Sequence, residues 1–121
     1  MKYRELIKRV QHDSGFSDAE SQDALQLMVE ALAVRLTEGE RKDFASQLPA
    51  ELKGIALTVQ PTEENRKVDM LEQFMVLQGI NEKHAMKQIK VTWHVLKKAI
   101  SPGEVEDIKA QLNTKTVALL G

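Results

Sequence analysis

Shifted by 64 residues against itself, the chain matches from its first helical segment to its end without a gap. Gly15 falls on Gly79, Leu32 on Leu96, Gly39 on Gly103, Glu40 on Glu104, Asp43 on Asp107, Gln47 on Gln111 and Leu48 on Leu112. All but the first two identities lie within residues 39–48 and 103–112, a clustering that an internal repeat produces. In a chain of 121 residues, a repeat of this length leaves room for two small units that share a core and little else. We divide the chain into a first repeat, residues 1–57, a linker, residues 58–66, and a second repeat, residues 67–121. The linker contains Pro61 and shows no apolar period.

Each repeat reads as three helices and a short fourth. Leu6, Ile7 and Val10, and in the second copy Met70, Leu71 and Phe74, have the spacing that puts apolar side chains on one helical face. Gly15 and Gly79 stop these helices, because glycine takes the left-handed conformation that other residues resist. Ser17 and Asn81 then offer side-chain oxygens to the free amides of a second helix, over residues 17–36 and 81–100. Ala85, Ile89, Trp93, Leu96 and Ile100 form its core stripe in the second copy. Thr37-x-x-Glu40 and Ser101-x-x-Glu104 read as capping boxes that start the third helices, with Pro102 well placed at the first helical position. Residues 49–57 and 113–120 read as closing helices. No alternating β-branched run bounded by turns occurs, so the expected fold is all-α, with the two repeats docked through their apolar stripes into one bundle.

The pattern Arg35-Leu36-x-x-Gly39-Glu40-x-x-Asp43-x-x-x-Gln47-Leu48-Pro49, echoed as Gly103-Glu104-x-x-Asp107-x-x-x-Gln111-Leu112, resembles the bacterial family catalogued as domain of unknown function 2267. The resemblance covers nearly the whole chain and implies a cytoplasmic, all-helical bacterial protein. It implies no reaction and no cofactor. Asn113 stands where the first copy has Pro49.

Composition narrows the function by exclusion. Without Cys the chain has no disulfide, thiolate metal site or cysteine nucleophile. Lys+Arg number 17 against Asp+Glu 18, so the net charge of -1 gives no general attraction to nucleic acid or an anionic membrane. Charges at Lys2, Arg4 and Glu5 stand where a secretory signal would be apolar, and no run is long enough to span a membrane, so a cytoplasmic location is expected.

No catalytic constellation is legible. His12-Asp13-Ser14 supplies the residue types of a hydrolytic triad, but neighbours on a helix point about 100° apart. His84 and His94 are ten positions apart on one helix, so no metal site is expected, and no cofactor. Glu40, Asp43, Glu104 and Asp107 recur, and they would make an acid/base pair if they faced each other between the repeats. The structural reading is preferred: Glu40 and Glu104 as capping residues, Asp43 and Asp107 near the positive end of a helix dipole, and Arg35 bridging to Asp43 or Glu40.

Charge distinguishes the copies. In residues 81–100, Lys83, Lys87, Lys90, Lys97 and Lys98 fall in one stripe with His94; five positives less Glu82 give +4. In residues 17–36, Asp18, Glu20, Asp23 and Glu30 against Arg35 give -3. The expectation is a small non-enzymatic module that uses this basic stripe for protein contacts, with an acidic protein or the acidic helix of a second copy as partner. Anion or nucleic-acid binding is the alternative, disfavoured by the lack of interleaved aromatics for stacking.

Overall fold

The computed structural model describes all of residues 1–121. It is entirely helical, without strands. Local capping chemistry sets most helix ends. Helix α1 (Tyr3–Ser14) stops at Gly15, with φ 79°, and α6 (Met70–Gln78) stops at Gly79, with φ 63°. Gly15 N–H donates to Gln11 O at 2.7 Å, and Ile80 N–H reaches back to Met75 O at 3.1 Å. These bonds use helix-terminal carbonyls that would otherwise lack partners.

Helix α2 (Asp18–Arg35) begins where Ser17 Oγ accepts from Glu20 N–H at 3.1 Å, and α7 (Glu82–Leu96) where Asn81 Oδ1 accepts from His84 N–H at 2.9 Å. Thr37 and Ser101 cap α3 (Glu38–Ser46) and α8 (Pro102–Gln111) in the same way. Helix α4 (Ala50–Thr58) follows Pro49, which has no side-chain acceptor. At the position 64 residues later, Asn113 accepts from Thr116 N–H at 2.8 Å and starts α9 (Thr114–Leu120).

The structure departs from the sequence reading in two elements. Within residues 58–66 the chain continues α4 to Thr58 and then forms a further short helix, α5 (Glu63–Lys67). A reciprocal capping box builds it: Asn65 N–H donates to Thr62 Oγ1 at 3.0 Å and Thr62 N–H to Asn65 Oδ1 at 2.7 Å. Glu63 and Glu64 at its start and Arg66 and Lys67 at its end suit the helix dipole. A helix made of such polar end effects has no apolar period to read. The second departure is in α7, which ends at Leu96 and tightens into a 3-10 turn over Lys97–Ala99, whereas α2 stays α-helical to Arg35.

Helix α2 is the centre of the bundle and touches α1, α4, α5, α6 and α7. It is buried on several sides, with Leu25, Met28, Val29, Leu32 and Ala33 all enclosed. Helix α7 lies against α1, α2, α6 and α9, and α3 rests on α4 and α8. Ala85, Ile89, Trp93, Leu96 and Ile100 are buried. A single cluster of 27 buried residues runs through both halves, including Leu25 and Phe44 from one and Phe74, Trp93 and Ile108 from the other. Each half covers apolar surface that the other would leave in water. No helix is long and apolar enough to cross a membrane.

Candidate functional site

The residues shared by the two long motifs meet where α3 packs on α8. Thr37 and Ser101 each accept from the amide three residues on, as a capping box requires, at 3.3 and 3.1 Å. The return half of each box is absent. Ser101 N–H donates to Gln47 Oε1 at 2.6 Å, and Thr37 N–H donates to Gln111 Oε1 at 2.9 Å. Gln111 also donates from Nε2 to Thr37 Oγ1 at 3.3 Å. Thus the glutamine that ends the third helix in one half caps the start of the third helix in the other, and the exchange is reciprocal. Because Thr37 and Ser101 are exposed, water can replace a lost partner, and Gln47→Ala or Gln111→Ala is expected to cost only about 0.5–1.5 kcal/mol. Denaturant midpoints of both single variants and the double variant would check this. Losses above about 3 kcal/mol would show that these contacts do more than cap.

This exchange leaves the carboxylates of Glu40 and Glu104 without the capping role expected of them. Instead they come together with Asp43, and one oxygen from each of the three lies within 4.8 Å of the others. Glu104 is 5% exposed, Glu40 half-buried, and Asp43 and Asp107 exposed. Neither Glu40 Oε2 nor Glu104 Oε2 has a hydrogen-bond partner. Burial, the adjoining Glu40 carboxyl, and the negative charges of Glu40, Asp107 and Asp43 push the Glu104 carboxyl up to about 8. Every charged group acting on it is another carboxylate. Arg35 does not relieve this cluster. Its guanidinium donates to Ala31 O and Val68 O, each at 2.6 Å, and the acid beside it is Asp69. Gly39 and Gly103 lie within the helices at the same starts, with open space where a side chain would be.

A second pair of positions 64 apart also meets. His84 Nε2 hydrogen-bonds Glu20 Oε2, Gln88 Nε2 donates to the same oxygen at 2.9 Å, and His84 stacks on Phe16 with centroids 5.3 Å apart. Burial would raise the Glu20 carboxyl, but the hydrogen bonds from Gln88 and His84 and the charges of His84 and Lys87 hold it below its usual range. His84 is therefore part of a contact between the halves. The buried Gln88, which also accepts from Gln78 at 3.2 Å, was not singled out in the sequence.

The basic residues of α7 divide in two. Lys83, Lys87, Lys90, His94 and Lys98 are exposed, whereas the 3-10 turn tucks Lys97 to half-buried, its Nζ 6.0 Å from the centre of the Trp93 ring. Lys87 Nζ lies 5.3 Å over Phe16, and Lys90 Nζ donates to Leu119 O at 3.0 Å. None of the five lysines forms an ion pair. The acidic counterpart foreseen on α2 is largely used internally: Asp18 pairs with Arg4 and Glu20 with His84, leaving Asp23 and Glu30 exposed. Trp93 and Met70 are buried in the core.

The model of a family described as an uncharacterized conserved protein, DUF2267, matches residues 3–119. The chain belongs to the DUF2267 family. No curated protein matches it. The DUF2267 match takes in α1 through almost all of α9, so both halves lie inside one family unit.

One surface went unread in the sequence. Val68, Val76 and Leu77 are exposed, the last two at 71% and 60%, and with Asn65, Glu72 and Gln73 they line a shallow cleft beside α5 and α6. The register of 64 carried the signal, since it sets Val76 and Leu77 opposite the polar His12 and Asp13.

Proposed function

We propose that this DUF2267 chain is a non-enzymatic module, built by tandem duplication of a helical unit, that binds an acidic protein surface through the outer face of α7. The observation that carries the reading is the absence of ion pairing along that face. Five lysines of α7 and its terminal turn have no carboxylate within salt-bridge distance and fall together in one stripe; elsewhere Lys42, Lys67 and Lys115 are paired, and Lys2, Lys8, Lys53 and Lys109 are unpaired but scattered along the chain. Unpaired cationic stripes steer encounter with an anionic partner and set its orientation. Trp93, the aromatic most useful for stacking a base, is buried, which favours a protein partner over nucleic acid. The compartment proposed is the bacterial cytoplasm, as the family resemblance implies.

The test uses charge reversal at Lys83, Lys87 and Lys98, exposed lysines that make no hydrogen bond or ion pair. The triple Glu variant is expected to keep its helical content and unfold within a few degrees of the parent. Captured proteins whose cross-links map to α7 are expected to be lost at least tenfold at physiological salt. Retention of the same cross-linked partners by the variant would refute the reading. So would captured material that disappears on nuclease treatment, which would move the assignment to nucleic acid.

A further inference from the structure

We propose that Glu40, Asp43 and Glu104 bind one hard divalent cation of calcium size at the α3/α8 junction, with the charge of the exposed Asp107 acting on the same site. This inference is independent of the basic face of α7. The donor set is all oxygen, with no Cys in the chain, and that chemistry selects calcium-like ions over zinc or copper. One oxygen from each residue lies within 4.8 Å of the others, and a calcium ion with bonds of roughly 2.3–2.6 Å spans opposite ligands at about that separation. The exposed Asp43 and Asp107 leave one side open, where water completes the coordination shell.

Acidic clusters on a protein surface are common, but this one has a buried end. Glu104 is 95% enclosed and its Oε2 is unpartnered, as is Oε2 of Glu40. The capping duty that would explain a Glu at these positions is performed by Gln47 and Gln111 from across the junction. The helix starts of α3 and α8 contribute only weakly to holding negative charge, so their dipoles do not balance a buried carboxylate beside two others. Removing water from these groups without supplying a cation or a proton leaves like charges facing one another. A bound divalent ion gives both orphaned oxygens a partner and offsets most of the negative charge of the three carboxylates.

The competing occupant is a single proton shared between Glu40 and Glu104. Calorimetric titration of the full chain with calcium chloride alone, at neutral pH and constant ionic strength set by potassium chloride, separates the two. The expected result is one ion per chain, tighter for Ca²⁺ than for Mg²⁺. At a hundredfold excess over Kd the unfolding temperature should rise by about 10 °C. Asp43→Asn, at an exposed position that cannot disturb the core, should weaken binding at least tenfold while leaving the chelator-treated protein folded and no less stable. Glu104→Gln should abolish binding. Absence of stoichiometric calcium binding at millimolar concentration would overturn the proposal in favour of the proton. Equal affinity in both variants would place the ion elsewhere and also overturn it, and a preference for Mg²⁺ would overturn the size assignment.

Discussion

In chelator, Glu104→Gln is expected to stabilise the protein at pH 9 by an amount on the order of a few kcal/mol, and to change it far less at pH 5. The fold holds the Glu104 proton up to about 8, against 4.5 for an ordinary glutamate. The folded state therefore binds the proton more tightly than the unfolded chain. The stability linked to that proton is complete below about pH 4.5 and is lost as pH rises through about 8. Above that, a buried carboxylate faces Glu40, Asp43 and Asp107 without compensation. A neutral amide removes that repulsion. Asp13, Glu20 and Asp69 act in the opposite sense: their folded-state values are lowered, so their contributions are present above the ordinary carboxylate range and fade in stronger acid. The parent should thus be most stable in mildly acidic solution, and the variant should lack the decline on the alkaline side. Urea unfolding of both proteins between pH 4 and pH 9.5 measures this, and parallel curves for the two would show that Glu104 is not the group responsible.

Trp93→Ala is expected to cost about 3–5 kcal/mol, a large part of the roughly 5–15 kcal/mol that holds a small domain folded. Trp93 is 1% exposed and sits on α7, which packs against α1, α2, α6 and α9. Truncation leaves a cavity that several helices would have to move together to fill. It also takes away the ring beneath the Lys97 ammonium, disturbing the basic face from below. Chemical denaturation followed by circular dichroism suits the measurement, because the variant has no tryptophan left to report by fluorescence. Trp93→Phe should recover much of the loss. A cost below about 1 kcal/mol for the alanine variant would mean that the side chain is not tightly packed.

The two places where positions 64 apart meet show how far sequence reasoning reached. The spacing Thr37-x-x-Glu40 and Ser101-x-x-Glu104 correctly marks two helix starts, since the hydroxyl-to-amide bond spans three residues and depends on nothing distant. The same spacing misassigned the carboxylates. Their competitors for the cap amides, Gln111 and Gln47, lie 74 and 54 residues away. The repeated Gln was visible in the register, but a partner in the other half was not. Arg35 failed as a bridge to Asp43 or Glu40 for the same reason, because Val68 and Asp69 come to it from across the chain.

The sequence by itself determined the longer helices, the side-chain oxygens that start them and the stripe that would be buried. Each of these rests on bonds within one turn or on side chains that share a helical face. Gly15 and Gly79 take their left-handed conformations, and Ala85, Ile89, Trp93, Leu96 and Ile100 lie inside, as local physics requires. Only the tertiary structure decided which acids remain in water and which face each other where α3 meets α8, and which lysines stay unpaired. Those outcomes depend on how α3 docks on α8 and how α7 lies across α1 and α2. That docking is governed by the shapes of whole packed faces, and no short run of residues carries it.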